Sequence, residues 1–518
     1  MLEINNVNYR VPSYIDFKLL HLDDGNYIFI VKNNNRIYKL SDSQAKLFRL
    51  IVLPNYYYLT DEILEELKLN KDILKLSIYY LLNIGIIKEC NSSLNRLSLK
   101  LKRDTFVVNF KHGWLIGNFH TCSINYLSIE IAELLLKGHI KDIPDQVIEK
   151  LFFGGYIQYT DPSITYSDNT IKYENYIVLT YKCNLACSYC FEKQMPRKNE
   201  DMSLKTLNNI LYQLKDINEN QIIVLYGGEP LLLINKNHIW KIIQFVKENE
   251  NCYLRIITNG INVDLYLSLL ESIKNKIISF TITVDGNQSV HDSKRCFANG
   301  GKTYEQILHA IKMVVNNNYN CIVRINLDNS NYDKLNNLIG SLNEIGREDL
   351  LSIFIDRVEN PTDSEFRPIS LKKVEETYNN ILKLTDINII SNIPIIQFLI
   401  QYNKMQNNNL LFFEQRLSYC QKEKINVFDC DGKIYCCNES MGDNYFLKDF
   451  CDNKRVLENT IYKLDKCEDC LIFPLCLGNC PRVNRFSKTD GNIRCEKKEI
   501  LEIILKLCSS ISNIDKIE

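Results

Sequence analysis

The chain has no surplus of basic charge: 62 Lys and Arg stand against 63 Asp and Glu, a net charge of −1 over 518 residues. So even a balance argues against nucleic acid or an anionic membrane as the main partner. Met1 to Leu20 lacks a basic stretch followed by an apolar one, so no secretory signal is expected. No uninterrupted apolar run reaches membrane-spanning length, and no low-complexity linker interrupts the chain. Together these absences lead us to expect a cytoplasmic protein with no nucleic-acid partner and no membrane partner. The length exceeds what one core organises, so about two to four domains are expected.

What the chain has in excess is cysteine, unevenly placed. Of 19 cysteines, eleven fall between Cys420 and Cys508, and only Cys90 and Cys122 precede Cys183. Clustered cysteines in a cytosol-type chain point to metal or redox chemistry rather than disulfides.

The segment 171–365 alternates strand and helix patterns. Short β-rich runs at 176–181, 222–226, 253–258, 278–284, 321–327 and 351–358 read as buried parallel strands. Between them, Leu204, Leu207, Ile210, Leu211, Leu214 and Ile217 make one helical stripe. Tyr304, Ile307, Leu308, Ile311, Val314 and Val315 make another, with Thr303 and Gln306 spaced as a capping box. Six β/α repeats predict an α/β fold, a partial TIM-like (β/α)6 barrel, because parallel strands need helical crossovers. Residues 1–95 read as a small winged-helix-like module, with strands at 4–20, 27–31 and 36–40 and helices near 42–52, 60–67 and 71–82. Residues 96–170 read as a bridge or second small module, 366–415 as a helical linker, and 416–518 as a turn-rich, Cys-rich extension ending in a helix at 496–509.

Cys183, Cys187 and Cys190 share one short loop after the first strand, with gaps of three and two residues. Three thiolates this close can hold three corners of a 4Fe–4S cluster and leave one iron open to a bidentate ligand; a zinc site or three buried cysteines are the alternatives. Gly227-Gly228-Glu229-Pro230 follows the second strand, Thr258-Asn259-Gly260 the third and Thr283-Val284-Asp285-Gly286 the fourth. Each motif alone is a common strand-ending turn. Their shared position at strand carboxyl ends, where active sites of such folds gather, makes them informative together. Glycines allow close backbone approach to a ligand, and a carboxylate can accept bonds from an ammonium group.

Leu179 to Glu192, Gly227 to Pro230, and the stretch from Asp285 to Gly300 and Tyr304 resemble the signatures of the radical S-adenosylmethionine (SAM) superfamily. The resemblance implies a 4Fe–4S cluster on Cys183, Cys187 and Cys190, with SAM bound on the open iron. It places Tyr189 near the adenine, Gly228 and Glu229 at the methionine amino group, and Thr258, Asn259 and Thr283 near the ribose or carboxylate; Gly227 and Pro230 complete the motif.

Cys420, Gly432 and Cys437, followed by Cys467, Cys470, Cys476, Cys480 and Cys495, resemble the SPASM extension of peptide-modifying radical SAM enzymes. That resemblance implies two auxiliary clusters: a distal one on Cys467, Cys470, Cys476 and Cys495, and a proximal one on Cys420, Cys437 and Cys480. The proximal set is one ligand short, and Cys430 or Cys436 could complete it or leave it open. Zinc is the other metal that the 467–480 thiolates suit. Asp431-Gly432-Lys433 is a plausible hairpin turn joining the Cys420 and Cys437 strands. Cys90, Cys122, Cys252, Cys296, Cys321, Cys451 and Cys508 read as packing residues.

Residues 1–95 resemble the peptide-recognition element of ribosomal-peptide maturases, whose sheet edge can take a leader peptide as an added strand. A DNA-binding winged helix or an inert module is the alternative, and the neutral charge disfavours DNA. The expected activity is therefore a thioether or carbon–carbon crosslink on a leader-bearing precursor peptide, with an electron-donating partner such as flavodoxin or ferredoxin. The alternatives are oxidation of a protein residue, as sulfatase maturases perform, and a non-catalytic metal-binding sensor or scaffold. Sulfatase maturases usually carry Asp directly after the hairpin cysteine, where this chain has Asn438.

Overall fold

A computed structural model describes residues 2–4, 7–10, 17–21, 27–31, 36–40, 45, 88–90, 99–101, 105–110, 113–118, 124–153, 156–159, 173–194, 199–358, 368–406, 425–450, 470, 472–476, 495–510 and 516–517. The chain divides into two compact units. One holds 1–170, 401–415 and 505–518; the other holds 171–400 and 416–504.

The first unit is built from small sheets. Phe17–His21, Tyr27–Val31 and Arg36–Leu40 form an antiparallel meander, as the β-rich runs at 27–31 and 36–40 predict. The helices expected near 42–52, 60–67 and 71–82 lie outside the described residues. Thr105–Phe110, Gly113–Asn118 and Ile124–Leu127 form a second meander, and Lys516–Ile517 adds to it in parallel. The end of the Cys-rich extension thus joins this unit rather than staying with 416–504. Phe106, Leu115, Ile116, Leu151 and Tyr156 are fully buried here.

The second unit is organised by one mostly parallel sheet. Its strands are β1 (Tyr173–Val178), β2 (Gln221–Tyr226), β3 (Cys252–Thr258), β4 (Ile277–Thr283), β5 (Cys321–Leu327), β6 (Leu351–Arg357), β7 (Asn388–Ser391), β8 (Ile425–Phe428) and β9 (Ile434–Tyr435). The order is β7-β6-β5-β4-β3-β2-β1-β8-β9, with only β9 antiparallel to its neighbour. The six strands read from the sequence are all present and consecutive. The helical linker at 366–415 also supplies a strand, β7, which pairs with β6. The Cys-rich extension supplies β8, which pairs in parallel with β1.

Helices α1 (Leu204–Lys215), α2 (Lys236–Glu248), α3 (Asp264–Leu270), α4 (Gln288–Lys294), α5 (Tyr304–Asn316), α6 (Asn336–Ile345) and α7 (Leu371–Leu384) connect the parallel strands. Ser203 caps α1 by accepting from Thr206 N–H at 3.0 Å, and Leu207, Ile210, Leu211 and Leu214 bury its apolar face. In α5 the expected capping box does not form. Thr303 makes no side-chain cap; its hydroxyl bonds Arg295 O instead, and Asp292 Oδ1 accepts from both Thr303 N–H and Tyr304 N–H at 3.0 Å.

In β3 and β5 the residues alternate between buried and partly exposed. Cys252, Leu254, Ile256, Cys321, Val323, Ile325 and Leu327 are wholly buried. The opposite face carries Tyr253, Arg255, Ile257, Ile322, Arg324 and Asn326, all partly exposed, so this side of the sheet is less covered and mixes polar with apolar groups. Among the described residues no helix is long and apolar enough to cross a membrane.

Candidate active site

The loop after β1 carries Cys183, Cys187 and Cys190, and it is pinned from two sides. On one side is the turn after β2. Gly228 N–H donates to Thr180 O and Glu229 N–H to Lys182 O, both at 2.9 Å. A Cβ on Gly228 would lie 2.3 Å from Lys182 O and 2.5 Å from Tyr181 O. Gly227 adopts a φ of +113°, and a Cβ there would lie 2.5 Å from Thr180 O. Both glycines therefore serve close packing of one backbone on another, the cysteine loop being the neighbour.

On the other side is the segment after α4. Ala186 N–H donates to Cys296 O at 2.8 Å, Ser188 N–H to Lys294 O at 2.9 Å, and Ala298 N–H to Asn184 O at 3.2 Å. These bonds bracket Cys187. Leu185 and Phe297 form an isolated antiparallel bridge at the same place.

Glu229 is fully buried and ties the strand ends together. Its Oε1 accepts from Thr258 Oγ1 at 2.7 Å and Leu231 N–H at 2.9 Å; its Oε2 accepts from Asn259 N–H at 2.7 Å. Burial raises this carboxyl, and those three donors pull against the rise. Asn259 also reaches the cysteine loop, donating from Nδ2 to Asn184 Oδ1 at 2.7 Å and lying 3.7 Å from Cys183 Sγ. Pro230 is buried, and its carbonyl accepts from Asn235 Nδ2 at 3.0 Å. Thr283 ends β4 opposite Arg324.

Desolvation raises the Cys183 thiol, and Glu229, Cys187 and Cys190 raise it further. The Cys183 thiol thus senses both of its loop partners. Thiolates bind metal with release of their protons. Among the described residues no three His, Cys, Asp or Glu side chains are grouped as ligands of a metal ion.

Tyr189 follows Cys187 by two positions in the loop, and its hydroxyl is held by three side chains. It bonds Asp285 Oδ2 and accepts from Arg295 Nη1 at 2.6 Å and Asn326 Nδ2 at 3.2 Å. Asp285 Oδ1 accepts from Asn326 N–H at 2.9 Å. His291 is fully buried beside this group; its Nδ1 accepts from Asp285 N–H at 3.2 Å and its Nε2 lies 3.1 Å from Thr303 Oγ1. Sequence reading missed Arg295, His291, Asp292 and Asn326 as site residues. The available signal was three chargeable side chains, His291, Asp292 and Arg295, at helical spacing inside the Asp285–Gly300 stretch.

On the less covered face of the sheet, Arg324 Nε donates to Asn326 Oδ1 at 2.9 Å, and its Nη2 lies 3.9 Å from Asp356 Oδ2. Burial raises the Asp356 carboxyl while Arg324 lowers it, and Glu439 adds a further rise. Asn438 donates to Tyr226 Oη at 3.0 Å. This cluster was also not read from the sequence.

The expected hairpin turn is present. Gly432 has a φ of +82°, and Asp429 Oδ1 accepts from Asp431 N–H at 3.0 Å and Lys433 N–H at 2.8 Å between β8 and β9. Cys430 is buried, and its thiol donates to Val178 O at 3.3 Å and Glu200 O at 3.5 Å, so it is committed to the end of β1. Cys436 is half-buried, its thiol pushed up to about 11 by burial. Of the two suggested completing ligands, Cys436 is the less enclosed. Cys437, Cys470 and Cys476 are half-buried and Cys495 is exposed. Cys420, Cys467 and Cys480 lie outside the described residues, as do Cys122 and Cys451. Cys252, Cys321 and Cys508 are buried, as packing residues should be.

Residues 177–342 match the model of the Radical SAM superfamily. The chain is 24% identical over 347 residues to the cysteine-type anaerobic sulfatase-maturating enzyme of Clostridium novyi, covering 61% of this chain and 90% of that one. It is 26% identical over 162 residues to the sporulation killing factor maturation protein SkfB of Bacillus subtilis, covering 31% of this chain and 37% of SkfB. Among solved structures it is similar to Streptococcus suis SuiB bound to precursor peptide SuiA, at a TM-score of 0.45 and 16% identity, covering 91% of this chain and 95% of that one.

Proposed function

We propose that the chain, whose residues 177–342 match the Radical SAM superfamily model, is a radical SAM enzyme that matures a ribosomally made precursor peptide by installing a thioether or carbon–carbon crosslink. The observation that carries the reading is the cysteine loop held between the Gly227–Glu229 turn and the 294–298 segment at the carboxyl ends of parallel strands. The domain's chemistry uses a 4Fe–4S cluster and SAM, which together supply a carbon radical able to take a hydrogen atom from the substrate.

The chain's own residues have the following roles in this reading. Cys183, Cys187 and Cys190 hold the cluster. Gly227 and Gly228 let the second turn approach the loop, and buried Glu229 fixes Thr258 and Asn259 beside it. Tyr189, Thr283 and Asn259 line the place where SAM binds. Arg324 and Asp356 offer both signs of charge beside the buried, Asn438-bonded hydroxyl of Tyr226, suited to orienting a polar peptide segment. Cys420, Cys437 and Cys480, and Cys467, Cys470, Cys476 and Cys495, hold two auxiliary clusters. Residues 1–95 bind the leader, and a flavodoxin or ferredoxin delivers the electron.

The likeness to a sulfatase-maturating enzyme over 61% of this chain favours a second reading, oxidation of a single residue in a target protein. The two differ in product. Anaerobic reaction of the reconstituted chain with SAM, a reductant and a leader-bearing cysteine-containing peptide should give a product two hydrogens lighter and inert to hydrazide reagents. A hydrazide-reactive aldehyde would support the second reading and overturn the first.

A further inference from the structure

We propose that Arg295 is a positioning residue for the cysteine loop and that its charge raises the reduction potential of the cluster bound there. The inference rests on the reading of Cys183, Cys187 and Cys190 as cluster ligands, and goes beyond it by assigning control of that centre to a residue more than a hundred positions away.

Arg295 is buried, with a relative exposure of 8%. A buried guanidinium is costly unless anionic or polar partners surround it. Its partners here are few and all belong to the site. Nη1 donates to Tyr189 Oη at 2.6 Å, and Tyr189 in turn bonds Asp285. The guanidinium carbon lies 6.0 Å from the Tyr189 ring centre. Burial disfavours its charge, but Tyr189, Cys187 and Asp285 outweigh that and hold it ionised. The segment that carries this cation is tied by backbone hydrogen bonds to the residues on either side of Cys187.

The backbone around Arg295 does the positioning. Its N–H donates to His291 O at 2.8 Å, and its carbonyl accepts from the Thr303 hydroxyl. The residues on either side, Lys294 and Cys296, accept from Ser188 and Ala186, the two neighbours of Cys187. Any movement of Arg295 is therefore passed directly to that cysteine.

One atom is left over. Arg295 Nε is buried with no hydrogen-bond partner in the protein. An orphaned N–H on a buried cation is expensive and calls for an acceptor. An anionic group seated on the cysteine loop supplies one. Hydrogen bonds and charge near cluster sulfurs are among the means by which proteins set cluster potentials. A nearby positive charge stabilises the reduced, more negative cluster and makes it easier to reduce.

The test uses the full chain, reconstituted anaerobically, as wild type, Arg295→Met, Arg295→Lys and Tyr189→Phe. Iron and sulfide are counted, and the EPR signal that changes on adding SAM is followed through a redox titration. Arg295→Met should keep its cluster but show a more negative midpoint, with the reduced fraction at a fixed potential falling several-fold. Arg295→Lys should recover part of the shift, and Tyr189→Phe should show a smaller one. A wild-type midpoint and line shape in Arg295→Met would overturn the proposal. If Arg295→Met binds no iron, wild-type midpoints in both Arg295→Lys and Tyr189→Phe would overturn it equally. A Cys187→Ala chain that retains the SAM-sensitive signal would instead sink the assignment of the cluster to this loop.

Discussion

At the residue scale, the tightest constraint is Gly228. A methyl group there meets two backbone carbonyls of the cysteine loop, neither of which can swing aside like a side-chain tip. Gly228→Ala should destabilise the second unit by about 1–3 kcal/mol. It should also lower iron bound per chain, measured after anaerobic reconstitution. The position of the cysteine loop after β1 and of the glycine turn after β2 was legible in the sequence because each follows a compact strand pattern. The reason for the glycines was not: the sequence suggests room for a ligand, whereas the nearest object is the backbone of another loop. Arg295 and Tyr189 were illegible as a pair because 106 positions separate them.

His291 gives a residue-scale prediction in pH. Burial first, and then Arg295, lower its pKa from 6.5 to about 4. The unfolded chain takes up a proton near 6.5 and the folded chain resists until about 4, so stability from this group is complete above 6.5 and lost as pH falls towards 4. Urea unfolding at pH 7.5 and 5.5 should show a loss of about 1 kcal/mol from this group. That part of the loss should vanish in His291→Gln.

At the element scale, the six central strands were readable because each is a compact β-rich run, and observed bounds fall within a few residues of expectation. β7 escaped because four residues, Asn388–Ser391, sit between two long helical patterns. β8 escaped because cysteines and turn residues around it hide a short apolar run, Ile425–Phe428. The capping box of α5 failed for a tertiary reason. Thr303 turns its hydroxyl to Arg295 and His291, and Asp292, eleven positions earlier, caps the helix instead. Asp292→Ala should therefore cost about 1 kcal/mol, the usual worth of an N-cap. Thr303→Ala should disturb the Arg295 segment rather than the helix. Thermal unfolding of the two variants, together with their iron content, separates these effects.

At the scale of the whole molecule, the Cys-rich extension is part of the sheet that builds the site. β8 pairs with β1, the strand that launches the cysteine loop, and Asn426 Nδ2 donates to Asn175 Oδ1 at 2.7 Å across that pairing. Near the other edge, buried Glu496 accepts from Arg357 Nη1 at 2.6 Å at the end of β6, directly after Cys495. The extension is thereby attached on both sides of the parallel core. Composition and spacing gave no sign of either attachment, because both join segments far apart in sequence.

The central claim is that the loop carrying Cys183, Cys187 and Cys190 is where SAM is cleaved. The most direct measurement is 5′-deoxyadenosine formed from SAM by the anaerobically reconstituted, reduced chain, comparing wild type with Cys187→Ala. The account predicts steady formation by the wild type and none above background by the variant, with the auxiliary cysteines unaltered in both. Persistent 5′-deoxyadenosine formation by Cys187→Ala would contradict it.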